Sequence, residues 1–296
     1  MHPPTTGSPE EECIPPPPNQ LAQRPQATAR DEVAKKCLWT LRVLLKDDSA
    51  TWISSEQRDA AVSVLKRNTD VIAMLKTGGG KSMLAILAAM MEVDKAVVVV
   101  LPLKSLMTDW ERKLKAMGVP FQVYSPSNKS LKKNVNLILT SADKVKFGTW
   151  RKQLAELNES LPVSRLVFDE AHLTLLAEDF RASMRAVQEL RQFPDMQLVL
   201  LSGTVPPSSV AALKKTFGLM DDAVEVRESS NRPELEYILE APASSSILEG
   251  KTIQIVERER REWSPKDRGL VFVTYMEDGQ CLADKVRREQ ISIRVY

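Results

Sequence analysis

At 296 residues with 43% hydrophobic side chains, the chain can bury a sizeable core, and its length suits one large domain or two smaller ones. No apolar run approaches the roughly 20 residues of a membrane-spanning helix, so no membrane partner is expected. A net charge of only +2 raises no global field for a polyanion, and the three scattered cysteines, Cys13, Cys37 and Cys281, lack zinc or disulfide-framework spacing and read as free thiols.

Residues 1–30 hold Pro3, Pro4, Pro9, Pro15, Pro16, Pro17, Pro18 and Pro25 among Thr, Gln and Glu. Such a composition buries too little apolar surface to offset its ordering entropy, so a disordered tail is expected, able to recruit a partner through its prolines. It lacks an apolar stretch behind basic residues, which argues against a secretory signal and for an intracellular protein. Helical spacing starts at Asp31 with Val33, Leu38, Leu41 and Leu44 or Leu45, and a second helix is expected over 56–66. Short apolar runs then alternate with helical stretches at 71–75, 96–101, 135–139, 165–168 and 197–201. Near-continuous apolarity suits strands buried on both faces, and intervening helices imply parallel crossovers. The expected fold is α/β, a doubly wound parallel sheet spanning 31–228. After Asp221 and Asp222 the texture loosens into a hinge, and a second unit is expected over 229–296. It would hold an extended segment at 235–239, a charged helix at 247–263, a strand at 269–275 and a helix ending at Arg288.

The first run leads directly into chemistry. Residues 71–75 are the strand, Lys76, Thr77, Gly78, Gly79 and Gly80 make a tight loop, and Lys81 and Ser82 open a helix through Met91. Strand, glycine loop and helix in that order can bind phosphate, because glycines let successive backbone N–H groups face one anion and the helix start adds its positive end. Lys81 is expected to reach the terminal phosphates of ATP, and Ser82 to offer a neutral hydroxyl to Mg2+. The plainer alternative, a glycine-rich turn before an ordinary helix, does not account for a Lys-Ser pair placed at the helix start behind a buried strand.

A second site follows the run Leu166, Val167 and Phe168, where Asp169 and Glu170 stand at a strand's carboxyl end, the place where open α/β sheets bind ligands. Asp169 can hold Mg2+ directly or through water, Glu170 can orient or deprotonate the attacking water, and His172 sits beside them. Acidic residues at a strand end also serve as helix caps; the phosphate loop upstream favours the catalytic reading.

With these two sites in place, the sequence resembles the superfamily 2 helicases, and among them the RecQ family of DNA helicases, over roughly residues 56–283. LKTGGGKS at 75–82 and DEAH at 169–172 resemble that family's motifs I and II. VVVVLPLKSLMTDW at 97–110 resembles motif Ia, whose loop contacts the DNA backbone, which implies that role for Pro102 and Ser105. Thr140 falls where motif Ib is expected, which implies a nucleic-acid contact for it at the surface, and LSGT at 201–204 resembles motif III, implying that Ser202 and Thr204 couple ATP state to DNA. Gln57 resembles the glutamine that reads adenine, with Trp52 close by. Asp179, Phe180 and Arg181 after the DEAH string, and RPEL at 232–235, resemble RecQ strings in particular and imply Phe180 and Arg181 as DNA-coupling residues. The pattern is broken at Lys76, where the family usually has proline, and at Leu176 and Ala177, where tryptophan and glycine are expected.

The resemblance implies a RecA-like P-loop NTPase domain followed by the incomplete start of a second RecA-like domain. Residues 270–275 resemble motif IV, while motifs V and VI are not found. It further implies ATP and Mg2+ as cofactors, single-stranded or partly duplex DNA as partner, 3′ to 5′ polarity and a nuclear location. Two functions stand open: an ATP-dependent DNA helicase of RecQ type, and a catalytically incomplete ATP- and nucleic-acid-binding module lacking the second motor lobe. A third keeps the motor fold only as an interaction surface. Trp39, Trp110, Trp150 and Trp263 are dispersed and read as packing residues, while Lys129, Lys132, Lys133 and the mixed-charge run 257–262 read as solvated surface.

Overall fold

The computed structural model describes residues 24–127, 130–145, 148–176, 196–231, 235–238, 245–264 and 266–288. Most of the expected tail, Lys129, Phe180 and Arg181, and the start of the RPEL string lie outside the described residues. The chain divides into two units between Asn231 and Arg232.

In the first unit the elements are α1 (Arg24–Leu45), α2 (Ser55–Lys66), β1 (Val71–Met74), α3 (Lys81–Met91), β2 (Ala96–Leu101), α4 (Lys104–Met117), β3 (Gln122–Val123), β4 (Leu137–Ser141), α5 (Gly148–Asn158), β5 (Val163–Phe168), α6 (Leu173–Leu176), β6 (Gln197–Ser202), α7 (Val210–Phe217) and β7 (Val224–Arg227). Helix α1 begins inside the segment expected to be tail. Pro25 falls in its first turn, where a missing N–H costs nothing because that group has no intrahelical partner.

The seven strands form one parallel sheet in the order β3-β4-β2-β5-β6-β1-β7. Strands β1, β2, β5 and β6 are buried throughout because both sheet faces are covered. On one face Val98, Val100, Ile138 and Leu200 pack with Trp150, Leu154 and Phe217. On the other Val97, Val99, Leu139 and Leu201 meet Leu84, Leu87, Trp110 and Leu114. Each such aliphatic side chain contributes roughly 1.5–3 kcal/mol by leaving water, so the sheet interior dominates the unit's stability.

All five expected strands form, with one shift. The run expected at 135–139 pairs only from Leu137, since Asn136 turns its amide to the carbonyls of Ala89, Glu92 and Lys95, at 2.7, 3.2 and 3.3 Å. Two strands escape the apolar-run criterion. β3 has two residues, and edge strand β7 alternates, with Val226 buried between exposed Glu225 and Arg227.

The second unit contains α8 (Ser245–Arg260) and α9 (Met276–Arg288). They pack through Ile253, Val256, Leu282 and Val286 and are tied by Lys285 Nζ to Glu249 at 2.6 Å. The strand expected at 269–275 does not form, and no strand occurs among the described residues of this unit. Without a neighbour to complete a hydrogen-bond ladder, Leu270, Phe272 and Tyr275 stay exposed. The extended segment expected near Tyr237 is likewise unpaired. Trp39, expected to pack, faces solvent from α1, and Trp263 is partly exposed where it lies over Gly269.

Candidate functional site

Parallel strands all point one way, so the loops that leave them collect on one edge of the sheet. There β1 delivers residues 76–82, its neighbour β6 delivers Ser202, Gly203 and Thr204, and the next strand, β5, delivers Asp169, Glu170 and His172. Beyond them lie Pro102 and Ser105 after β2, and Thr140 in β4.

In the glycine loop, Gly78 and Gly80 adopt left-handed backbone at φ +81° and +73°, a region open to glycine at little cost. Gly80 is needed for a second reason, because a Cβ there would strike the Gln57 amide. Ser54 caps α2 by accepting the Gln57 backbone N–H at 3.1 Å, and Gln57 Oε1 accepts the Ile53 N–H at 2.9 Å. Gln57 is only 2% exposed and sits against the phosphate loop at Gly80. Trp52, half-buried, packs into the neighbouring core. Lys81 begins α3 and donates from Nζ to the carbonyls of Leu75 and Lys76, at 3.1 and 3.4 Å, which holds its ammonium over the loop. Ser82 follows it, half-buried, while Thr77 and Gly78 are exposed.

A residue that sequence reasoning missed grips this loop from beyond β7. Glu228 is half-buried, its side chain largely covered, and reaches Lys76 twice: Oε1 lies 3.1 Å from Nζ, and Oε2 accepts the backbone N–H at 3.2 Å. A proline at position 76 would have neither group, so Lys76 is matched to Glu228. No local pattern marks Glu228, whose partner lies 152 residues away.

The Asp169 backbone N–H continues the ladder to the Val100 carbonyl at 3.1 Å, and its carboxylate is held at both oxygens. Oδ1 accepts the Glu170 N–H at 3.0 Å, and Oδ2 accepts the Trp110 indole N–H at 2.8 Å. Trp110, read from sequence as packing alone, therefore also touches the site; the one available signal was that a buried indole usually seeks an acceptor. Glu170 adopts a left-handed φ of +48°, which costs a residue with a Cβ about 1–2 kcal/mol. Such strain gathers at functional turns.

From Glu170 a run of contacts returns to the phosphate loop. His172 Nδ1 lies 3.4 Å from Glu170 Oε2 and shares a 2.8 Å hydrogen bond with Ser202 Oγ, which also accepts the Thr204 N–H at 3.2 Å. The Ser202 carbonyl accepts the Leu75 N–H at 3.0 Å. A Cβ at Gly203 would sit 3.4 Å from Lys81 Nζ, an ordinary van der Waals distance, so the turn after β6 lies beside the lysine. Lys81, Ser202, His172, Glu170 and Asp169 thus share one network.

The residues assigned to DNA contact are less uniform. Pro102 is half-buried and lines a small cleft with Asp169 and Glu170, while Ser105 and Thr204 are exposed. Thr140 is a correction: in register with Val100 it points into the packed sheet, fully buried, and cannot touch a polymer at the surface. Ser202 is also buried and reaches outward through His172 and the Thr204 N–H.

Residues 54–213, more than half of the chain, match the model of the DEAD/DEAH box helicase family. The chain is 31% identical over 209 residues to the probable ATP-dependent DNA helicase RecS of Bacillus subtilis, a stretch covering 68% of this chain and 41% of that protein. It is 24% identical over 251 residues to ATP-dependent DNA helicase Q1 of Mus musculus, covering 79% and 38%. The chain spans about two fifths of the length of these curated relatives. Among solved structures, a variant of S. cerevisiae Dbp5 bound to Gle1 and IP6 superposes with a TM-score of 0.57 at 16% identity, covering 86% of this chain and 63% of that one, a likeness of RecA-like fold. A family match of this extent decides membership: the chain belongs to the DEAD/DEAH box helicases, with RecQ-like DNA helicases as its relatives.

Proposed function

We propose that this chain is the ATP-binding part of a RecQ-type motor, hydrolysing Mg·ATP in response to single-stranded DNA, with the 3′ to 5′ polarity that the RecQ resemblance implies. The observation that carries the reading is the network joining Lys81, at the start of α3 after β1, to Glu170 and Asp169 after β5, through the Leu75 backbone, Ser202 and His172. The residues present fit nucleotide and metal. Positive φ at Gly78 and Gly80 opens a backbone cradle at the start of α3, and Ser82 and Asp169 offer the oxygen donors a hard cation prefers. In this reading the backbone N–H groups from Thr77 to Lys81 and the Lys81 ammonium hold the β- and γ-phosphates. Ser82 and Asp169 hold Mg2+, which when bound neutralises charge developing on the phosphates. Glu170 orients the attacking water or takes its proton, and His172, bonded to Ser202, passes the state of the site to Thr204 at the surface. Pro102 and Ser105 supply DNA contacts at the same edge.

A second reading is a nucleotide- and DNA-binding module with little turnover.

Phosphate release with and without single-stranded DNA, beside Lys81→Ala, decides between them. The motor reading expects DNA stimulation and a fall of at least about 10²-fold in the variant, the scale of removing one transition-state donor. Nucleotide binding with negligible turnover selects the binding module, and a rate indifferent to both DNA and the substitution removes the motor reading.

A further inference from the structure

We propose that Trp110 is a positioning residue: its indole N–H fixes the Asp169 carboxylate and thereby sets the site's affinity for a divalent cation. The inference rests on the reading that Asp169 holds Mg2+. Helix α4 is amphipathic, with Trp110 and Leu114 as its two buried residues. The positions flanking Trp110 face outward into surface ion pairs, Asp109 with Arg112 and Lys113, and Glu111 with Lys115. Leu114 only fills space. Trp110 fills space in the same cluster and also aims its one donor, 59 residues along the chain, at Asp169 Oδ2, 2.8 Å away.

Burial alone does not dictate that contact. Trp150, equally buried, packs edge-on to Tyr124 and leaves its indole nitrogen without an acceptor among the described residues. The acceptor at Trp110 is instead the carboxylate at the centre of the site. Asp169 is gripped from two directions, Oδ2 by the indole and Oδ1 by the Glu170 N–H, which fixes the plane of the group and leaves each oxygen further lone-pair capacity. Partners that orient a metal-binding side chain in this way typically change metal affinity or activity by about 10–100-fold when removed. Phenylalanine in this place would keep most of the packing and release Oδ2.

The test compares the wild-type chain with Trp110→Phe and with Leu114→Ala, a packing control on the same helix. Mn2+ serves as a paramagnetic probe in the presence of a non-hydrolysable ATP analogue, and nucleotide affinity is also measured in EDTA. The expected result is a cation affinity about 10–100-fold weaker in Trp110→Phe with metal-free nucleotide binding unchanged, and wild-type cation affinity in Leu114→Ala despite its lower stability. Wild-type cation affinity in Trp110→Phe, or an equal loss in Leu114→Ala, overturns the proposal. Should Trp110→Phe not fold, the wild-type chain still answers. Its Trp110 indole resonance in a nitrogen-proton spectrum should shift when Mg2+ is added to the nucleotide complex, and a resonance that stays in place overturns the proposal equally. Nucleotide binding by the wild-type chain with no dependence on a divalent cation would instead sink the assignment of Asp169 itself.

Discussion

Toward the amino edge of the sheet, charged side chains are closed off by the protein. Arg165 is fully buried in β5, paired with Glu92 at 2.8 and 3.1 Å, and it also donates to the Val64 carbonyl and Ser164 Oγ. Asp70, ahead of β1 and equally buried, accepts the backbone N–H groups of Leu198 and Met220, each at 2.8 Å. At the carboxyl edge the same kinds of residue, Lys81, Asp169 and Glu170, are only half-buried, and Glu170 carries backbone strain. The contrast teaches that residue type does not separate scaffold from site. Saturation of hydrogen-bonding capacity does, because a fully partnered buried charge has nothing left to offer a ligand, while a partly open one at a rim does.

The largest effect that would sharpen this contrast is at Glu92. Glu92→Ala leaves the Arg165 guanidinium buried without its anion, and should cost about 3–5 kcal/mol in urea denaturation while nucleotide affinity stays unchanged. The pair also fixes a pH dependence. Burial pushes the Glu92 carboxyl up, but hydrogen bonds and charge from Arg165, with Lys95 and Arg67 nearby, outweigh it and hold it below the ordinary glutamate range. A carboxyl lowered in the folded state stabilises fully above its unfolded value of about 4.3, and that contribution is lost as pH falls through the lower folded value. The stability gap between wild type and Glu92→Ala should therefore be constant near neutrality and narrow in acid below that range. A gap that widens in acid contradicts the assignment.

Asp70 gives a smaller effect of the same kind. Asp70→Ala orphans two backbone N–H groups at the start of β6 and before β7, each worth about 1–3 kcal/mol if left buried and unpaired. Water reaching Met220, which is exposed, would relieve one of them, so a total near the cost of a single orphan is expected. Thermal unfolding followed by circular dichroism measures it, and a drop in nucleotide affinity without a drop in stability would break the division between the edges.

How much of this was legible beforehand depends on how local each signal is. β2 and the run at 270–275 have the same apolar texture, yet Val97 to Val99 are wholly buried between β4 and β5, while Phe272 is exposed without a ladder. An apolar run marks a strand only where neighbours exist to pair with it, and a short run does not say whether they do. The placement of Lys81 and Asp169 at one edge of the sheet was readable because loop, helix start and strand end are contiguous in sequence. Trp110 and Glu228 were not, since each meets its partner across 59 and 152 residues and nothing beside either one announces the contact. Thr140 shows the opposite failure. Its place in a motif suggested exposure, but strand register with Val100 buried it.

The smallest effect should have the opposite sign. Glu170 sits at φ +48°, where a Cβ is costly, and among the described residues its side chain pairs with His172, at 3.4 Å in a partly exposed pair that contributes little. Glu170→Gly removes that Cβ, and although glycine also gains freedom in the unfolded chain, relief of the left-handed strain should leave the variant up to about 1 kcal/mol more stable. If Glu170 handles the attacking water, the same variant should lose about 10²–10⁴-fold in ATP turnover. A substitution that strengthens the fold while removing turnover is what a site held in strain by its scaffold predicts. Urea denaturation beside a phosphate-release assay reads both quantities, and a variant that is less stable yet fully active would show that the turn at Glu170 belongs with Arg165 and Asp70 as structure alone.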